Sequence, residues 1–103
     1  MAGPMRIRAA SSDGVTEVRV LMSHPMETGQ RRDSAGEPIP AHYITELTAE
    51  HNGKTVLVAH LGPSVSTNPY LAFKFQGGAA GDTVKVGWVD NKGESRTDEV
   101  QIR

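Results

Sequence analysis

The chain has 103 residues, which suits one domain with a single core and leaves room for one site or one binding surface. Eleven Lys and Arg residues against twelve Asp and Glu residues give a formal net charge of −1, so neither nucleic acid nor an anionic membrane is expected as a partner. The absence of cysteine excludes disulfides, thiolate metal sites and a thiol nucleophile. We therefore expect one domain over residues 1–103 that is stabilised by packing alone.

The N-terminal sequence MAGPMRIRAA contains no apolar region of the kind that a signal peptide has. No apolar run in the chain approaches the roughly 18 residues of a membrane-spanning helix. The sequence therefore predicts no signal peptide of its own and no membrane insertion. Within this stretch, MRIRAA is predicted to form the first strand.

Three later segments alternate apolar and polar residues, which is the pattern of a half-buried strand. They are VTEVRVLM (15–22), YLAFKFQ (70–76) and TVKVGWVD (83–90). The side chains predicted to point inward are Val18, Val20, Met22, Leu71, Phe73, Phe75, Val84, Val86 and Trp88. Tyr70 and Val89 are predicted to point outward.

Turn residues indicate two hairpins. Asn52-Gly53 separates residues 41–51 from residues 54–60, and Asn-Gly is favoured in two-residue hairpin turns. The segment VDNKGESRT predicts a second hairpin, whose last, mostly polar strand suits the edge of a sheet. About seven short strands without a helical period favour an all-β fold, an immunoglobulin-like antiparallel sandwich without a disulfide.

The segment LMSHPMETGQRRD (21–33) begins a long connection that runs from Ser23 to Pro40. Connections of this length in compact domains are usually functional or disordered. Met22, His24 and Met26 alternate within it, and their thioether and imidazole groups would suit copper(I). However, Met22 continues the apolar face of its strand, and Pro25 interrupts the geometry that would align Met26. We therefore expect Met22 to belong to the core.

The remaining candidates are histidines, hydroxyl residues and glycines: His24, His42, His51, His60, Ser64, Ser66, Thr67, Gly77, Gly78 and Gly81. The histidines lack the spacing of a zinc enzyme, and the hydroxyl residues lack a nucleophile elbow. The glycines lack the Lys-Ser/Thr and the helix of a phosphate loop. Structural roles are favoured for all of them. The outward Tyr70 and Val89 and the apolar run TVLVAHL indicate a protein interface instead.

Four blocks of the sequence, LMSHPMETGQRRD, IPAHYI, NPYLAFKFQGGAAGD and VGWVDNKGESRTDE, together resemble the Z subunit of the SoxYZ sulfur carrier complex of bacterial thiosulfate oxidation. The resemblance runs from about residue 5 to about residue 100. It implies an immunoglobulin-like sandwich in a heterodimer with a Y subunit, whose flexible glycine-rich arm carries sulfur intermediates on a cysteine. A chain without a thiol would then be the scaffold, with no enzymatic activity and no cofactor.

The resemblance also implies a docking surface for the Y subunit and, transiently, for other Sox enzymes. We place it at His24, Pro25, Met26, Glu27 and Thr28 of the first block and at Asn68, Pro69 and Tyr70 of the third. In an alternative interpretation, Pro25 and Pro69 only set the angles at which neighbouring strands begin.

Two further expectations concern location and rival functions. The resemblance implies work in the periplasm after export in a folded complex, carried by the twin-arginine signal of the Y subunit. The main alternative function is a small copper-binding periplasmic protein that uses Met22, His24 and Met26. An enzyme that uses Ser64 or His24 is a third possibility.

Overall fold

Seven strands account for the regular structure of the computed structural model, which describes residues 3–103. They are β1 (Arg6–Ser12), β2 (Val15–Leu21), β3 (Ile44–His51), β4 (Lys54–His60), β5 (Tyr70–Gln76), β6 (Thr83–Asp90) and β7 (Ser95–Gln101). No helix long and apolar enough to cross a membrane occurs among residues 3–103.

The strands form two antiparallel sheets. One sheet has three strands in the order β1-β2-β5, and the other has four in the order β4-β3-β6-β7. This arrangement confirms the predicted immunoglobulin-like sandwich. The mostly polar β7 lies at a sheet edge, as its composition predicted.

Short turns of predicted chemistry join neighbouring strands. Asn52 and Gly53 connect β3 and β4 with φ values of 49° and 86°, the left-handed conformations that a type I′ hairpin turn requires. Asp13 and Gly14 connect β1 and β2 in the same way, with φ values of 54° and 77°, although this Asp-Gly pair was not singled out from the sequence. β3 begins at Ile44 rather than at residue 41.

The core lies between the inner faces of the two sheets. The buried side chains there include Val18, Val20, Met22, Val84, Val86 and Trp88, as the alternation of these strands predicted. On β5 only Phe75 is buried, whereas Leu71 and Phe73 are half-buried. Leu71 and Phe73 are less buried than the inward residues of β2 and β6 because β5 is an edge strand with a neighbour on one side only.

The two long sides of the sandwich differ. β1 approaches β7, and this side is closed by hydrogen bonds from the Ser11 amide to the Arg103 carbonyl (3.1 Å) and from the Arg103 amide to the Ala9 carbonyl (2.9 Å). On the opposite side, β4 and β5 are both edge strands. Their inward side chains, such as Leu57 and Phe73, remain partly accessible.

The connection between β5 and β6 passes close to the buried Thr16. Thr16 Oγ1 donates a hydrogen bond to the Gly77 carbonyl (2.7 Å), and a Cβ atom at Gly78 would overlap this Oγ1 atom. Gly78 also has a φ of 88°. Glycine is therefore required here for both its backbone conformation and its small size, which agrees with a structural role for this glycine cluster.

Replacement of Gly78 by alanine is expected to lower the free energy of unfolding by about 3 kcal/mol, because it combines a left-handed backbone with overpacking. Gly81→Ala is the matched control, since Gly81 has a φ of 94° and no atom within 4 Å of an added Cβ. The control should lose about 1 kcal/mol from backbone strain alone. Urea denaturation measures both values, and equal losses would contradict the packing argument.

Candidate functional site

A buried carboxylate at one end of the sandwich lies between two imidazole rings. Asp90 Oδ2 is 3.0 Å from His24 Nε2 and 2.7 Å from His42 Nε2. The side chains of Asp90 and His24 are 0% and 2% exposed, and that of His42 is 16% exposed. His24 follows β2, His42 precedes β3, and Asp90 ends β6. The cluster therefore joins three segments that are far apart in the chain.

The proton on His24 is located by its hydrogen bonds. The Met26 backbone N–H donates to His24 Nδ1 at 3.0 Å, so this nitrogen acts as an acceptor. In a neutral imidazole the other nitrogen then carries the proton. His24 Nε2–H consequently donates to Asp90. The His24 ring also contacts the Trp88 ring edge-on, with centroids 5.0 Å apart.

The carboxylate of Asp90 accepts four hydrogen bonds. Its Oδ1 atom accepts from the backbone amides of Lys92 (3.0 Å) and Glu94 (2.9 Å), while Oδ2 faces the two histidines. Burial by itself would raise the pKa of Asp90, but the hydrogen bonds from His24, His42 and the two amides outweigh it and hold this pKa below its ordinary value. The carboxylate is therefore ionised and fully satisfied inside the protein.

His24, His42 and Asp90 also form a potential metal-ligand set, because their donor atoms lie within 4.8 Å of one another. A neutral imidazole that binds a metal through Nε2 must carry its proton on Nδ1. In His24 that position faces the Met26 N–H. The arrangement of His24, His42 and Asp90 therefore suits hydrogen bonding among the three side chains better than binding of a metal ion.

The geometry does not favour the copper(I) alternative either. Met22 is 2% exposed and belongs to the core, as expected. Met26 is also buried, and its sulfur accepts a hydrogen bond from the Ile44 amide at 3.3 Å. Both nitrogens of His24 are already hydrogen-bonded. All three proposed ligands are therefore engaged in structural contacts.

The long connection between β2 and β3 forms a projecting ribbon, here called the finger (residues 27–42). Glu27 and His42 pair at its base and Arg32 pairs with Pro38 further out. Asp33 Oδ1 accepts hydrogen bonds from the Ala35 and Glu37 amides and thereby closes the tip. Residues 30–38 are all exposed, and the molecule measures 54 × 19 × 19 Å. The finger is therefore an ordered, accessible element of an elongated molecule.

The structure brings together the two sequence motifs that were assigned to docking. The His24 amide donates to Asn68 Oδ1 (3.0 Å), and the Asn68 amide donates to the His24 carbonyl (2.9 Å). Thr67 Oγ1 donates to the Pro25 carbonyl (3.1 Å), and the Met22 amide donates to the Pro69 carbonyl (2.8 Å). The segments that precede β3 and β5 therefore form one surface at the base of the finger.

The eight docking candidates differ in accessibility. Three are buried and four are exposed, while Glu27 is half-buried. The buried ones are His24, Met26 and Pro69, and the exposed ones are Pro25, Thr28, Asn68 and Tyr70. The hydrogen bond from Arg31 lowers the pKa of Glu27 and keeps its carboxylate paired.

A groove of about 450 Å³ runs along this surface, here called the end groove. Its walls come from the start of the finger and from the loop between β4 and β5: Pro25, Met26, Glu27, Thr28, Arg31, Pro63, Ser64, Val65, Ser66 and Thr67. The hydroxyl residues of this loop are exposed, and among residues 3–103 none of them is hydrogen-bonded to a histidine. The enzyme hypothesis based on Ser64 or His24 thus lacks the required pairing.

Sequence reasoning missed the His24–Asp90–His42 cluster. His24 and His42 lie 66 and 48 positions from Asp90 along the chain, so no local spacing connects them. The available signal was the position of Asp90 at the end of an apolar strand, followed by the turn residues Asn91 and Gly93. That signal predicted a turn and gave no indication of the histidines.

Comparisons with known proteins give one family and one fold. The family model described as "Sulphur oxidation protein SoxZ" matches residues 5–101. A solved structure of similar fold is the hypothetical protein PH1083 from Pyrococcus horikoshii OT3, with 19% identity and a TM-score of 0.62 over 99% of this chain and 89% of that chain. This likeness concerns the fold alone. No curated protein matches the chain.

Replacement of Asp90 by asparagine is expected to lower the free energy of unfolding by about 3 kcal/mol at pH 7, because it breaks a buried ionic hydrogen-bond network. The folded-state pKa of Asp90 lies below its ordinary value of 3.8. Ionised Asp90 therefore stabilises the fold above that pH, and its contribution is lost as the pH falls through the folded-state pKa.

The measurement is urea denaturation of the wild type and of Asp90→Asn at several pH values from 7 down to 3. The difference between the two proteins should shrink towards acid pH. Glu99→Gln, an exposed change of the same formal charge on β7, is the control and should cost less than about 0.5 kcal/mol. A difference that stays constant with pH would contradict the ionised state of Asp90.

Proposed function

Because the chain belongs to the SoxZ family of sulphur oxidation proteins, we propose that it is the non-catalytic scaffold of a heterodimeric sulfur carrier. In this proposal it binds a Y subunit and presents that subunit's sulfur-loaded cysteine arm to the enzymes of thiosulfate oxidation. The family assignment places the chain in sulfur oxidation, and the division of labour between the two subunits is the proposed part.

The observation that carries the proposal is the absence of cysteine in a sulfur-oxidation protein. Covalent attachment of sulfur intermediates requires a thiolate nucleophile. A chain without a thiol cannot hold such an intermediate itself, so the cargo must be attached to another polypeptide. Protein binding is then the contribution that this chain can make.

An exposed apolar pair at the same end of the sandwich as the end groove supports a role in protein binding. Leu21 and Tyr70 lie directly opposite each other on β2 and β5, and they are 41% and 61% exposed. Tyrosine is enriched at the energetic centres of protein interfaces. We define the partner face as the end groove together with Leu21, Asn68 and Tyr70. We propose that the Y subunit binds to this face.

Six of the eight docking candidates are assigned to one of two roles in this proposal. The exposed residues Pro25, Thr28, Asn68 and Tyr70 contact the partner. The buried His24 and Met26 shape the surface from behind, since they hold the base of the finger against Asp90 and Ile44. This arrangement also accommodates the alternative in which Pro25 and Pro69 set the direction of the adjoining chain.

The finger is proposed to serve the transient contacts with other Sox enzymes. Its exposed part carries charges of both signs, from Arg31, Arg32, Asp33 and Glu37. Small polar surfaces are typical of short-lived complexes. The partner face would therefore bind the Y subunit permanently, and successive enzymes would bind the finger transiently.

Location in the periplasm is also part of the proposal. The partner would supply the twin-arginine signal, and the two subunits would cross the membrane as a folded complex. Assembly before export fits a scaffold whose apolar patch is exposed when it is alone.

A double replacement, Leu21→Ser with Tyr70→Ser, is expected to raise the Kd for the purified Y subunit at least about tenfold, because it removes the apolar centre of the partner face. Isothermal titration calorimetry measures this affinity. Both residues point outward at one end of the three-stranded sheet, so the fold should be retained, and urea denaturation checks this.

The matched control is Val58→Ser with Val89→Ser. These residues are 50% and 45% exposed, but they lie on the four-stranded sheet. The control should leave the Kd unchanged within a factor of about two. A large effect of the control together with no effect of the test pair would move the interface to the other sheet and refute the partner face.

Export is tested by cell fractionation. The chain produced alone should stay in the cytoplasm, and coproduction with the signal-bearing Y subunit should move it to the periplasm. The Leu21→Ser, Tyr70→Ser variant should be exported less efficiently, because it assembles poorly. Export of the chain without its partner would contradict this route.

A further inference from the structure

The outer faces of the two sheets carry opposite charge. On the three-stranded sheet, the outward strand residues include four cations and one anion: Arg6, Arg8, Arg19, Lys74 and Glu17. On the four-stranded sheet they include three anions and one cation: Glu46, Glu50, Glu99 and Lys85. A chain of net charge −1 thus has one strongly basic face.

The centre of the basic face contains an unfavourable pair. Arg8 and Arg19 lie directly opposite each other in the register of β1 and β2, and like charges in this position destabilise a sheet. Glu17 pairs with Arg19 at 3.2 Å. Among residues 3–103, no carboxylate lies within ion-pair distance of Arg8 or Arg103. Within the described part of the chain, these two guanidinium groups are therefore free to form an ion pair with a bound anion.

A cavity of about 210 Å³ lies between these cations. It is lined by Arg8, Ala9, Ala10, Glu17, Arg19 and Arg103. The small Ala10 side chain leaves space between the arginines. Arg103 is held beside the cavity by its backbone, which bonds to Ala9 and Ser11. The side chains that line this cavity carry three guanidinium groups and one carboxylate, so cations predominate among them.

We propose that this cavity binds a small oxidised-sulfur anion, either a free oxyanion such as thiosulfate or the terminal sulfonate of a cysteine-bound intermediate. The planar guanidinium group matches the paired oxygens of such anions. The small volume of the cavity and its excess of guanidinium groups suit a small anion rather than a large ligand. The choice of sulfur among possible oxyanions rests on the proposed function.

Weak binding is what this location requires. The arginines are exposed to water, where ion pairs contribute little. A group on a flexible arm, however, has an effective concentration of the order of millimolar near its scaffold. A site of millimolar affinity would then be partly filled by the arm and would still release it to an enzyme. The basic face would thus bind the charged end of the arm transiently while the arm is not bound to an enzyme.

The test is a nuclear magnetic resonance titration of the isolated chain with sodium thiosulfate and with sodium sulfate. Amide signals of Arg8, Ala9, Ala10, Arg19 and Arg103 are expected to shift together with a single millimolar Kd. Sodium chloride at equal ionic strength is the control for screening, and it should leave these signals nearly unchanged. Equal shifts with chloride would overturn the proposal.

Arg8→Gln is expected to weaken thiosulfate binding about tenfold, because it removes one charge-assisted contact. The variant should fold at least as stably as the wild type, since it relieves the like-charge pair. Arg32→Gln removes the same charge from the finger and should leave the Kd unchanged. Undiminished binding by Arg8→Gln would refute this site, as would shifts centred on the finger.

A second titration separates the two sources of the anion. It uses a glycine-rich pentapeptide with an S-sulfonated central cysteine and the same peptide with a free thiol. Shifts of the same amides with only the sulfonated peptide would support recognition of the carried end group. Shifts with thiosulfate but with neither peptide would assign the site to the free ion.

Binding of neither thiosulfate nor the sulfonated peptide would overturn the inference. Both titrations omit the Y subunit, so they are independent of the scaffold role. If the chain binds the Y subunit but no anion, only this anion site is refuted. If it binds the anion but not the Y subunit, only the scaffold function is refuted.

Discussion

The hydrogen-bond network of the buried Asp90 carboxylate is the interaction on which this end of the molecule depends. An ionised group with a fully buried side chain is tolerated only when its hydrogen-bonding capacity is satisfied, and here two imidazoles and two backbone amides satisfy it. Through His24 and His42 it holds both ends of the long β2–β3 connection. The finger projects in a defined direction because its base is attached to the sandwich at this point.

The surfaces that surround this anchor suit recognition better than catalysis. Each histidine has a carboxylate neighbour: Asp90 for His24 and His42, Asp82 for His51 and Glu46 for His60. The remaining features are exposed surfaces of different character, namely an apolar patch, a charged finger and two sheet faces of opposite sign. A rigid β scaffold can present such surfaces at constant distances from one another, which is what the proposed scaffold function would require.

Much of the fold could be predicted because strands follow local rules. The alternation of VTEVRVLM and TVKVGWVD predicted the buried faces of β2 and β6, and Asn52-Gly53 predicted the β3–β4 turn. The start of β3 was misplaced because residues 41–43 lie at and beside the base of the finger. There the Asn91 side chain donates to the Ala41 carbonyl and accepts from the Tyr43 amide. Leu71 and Phe73 pointed inward as predicted, but the edge position of β5, which leaves them half-buried, depends on which strands become neighbours.

The sequence alone determined the β class, the lack of a thiol and the four ordered blocks of the family, because these depend on composition and local order. The candidate site was decided by tertiary structure. Met26 leaves the strand geometry after Pro25, as expected, with a φ of 49°. Its burial in the core was not expected from the sequence. Asp90 meets its histidines, and Arg8 faces Arg19, only after sheet register and packing bring distant segments together. Such contacts join residues that are far apart in the sequence, so the spacing of neighbouring residues cannot predict them.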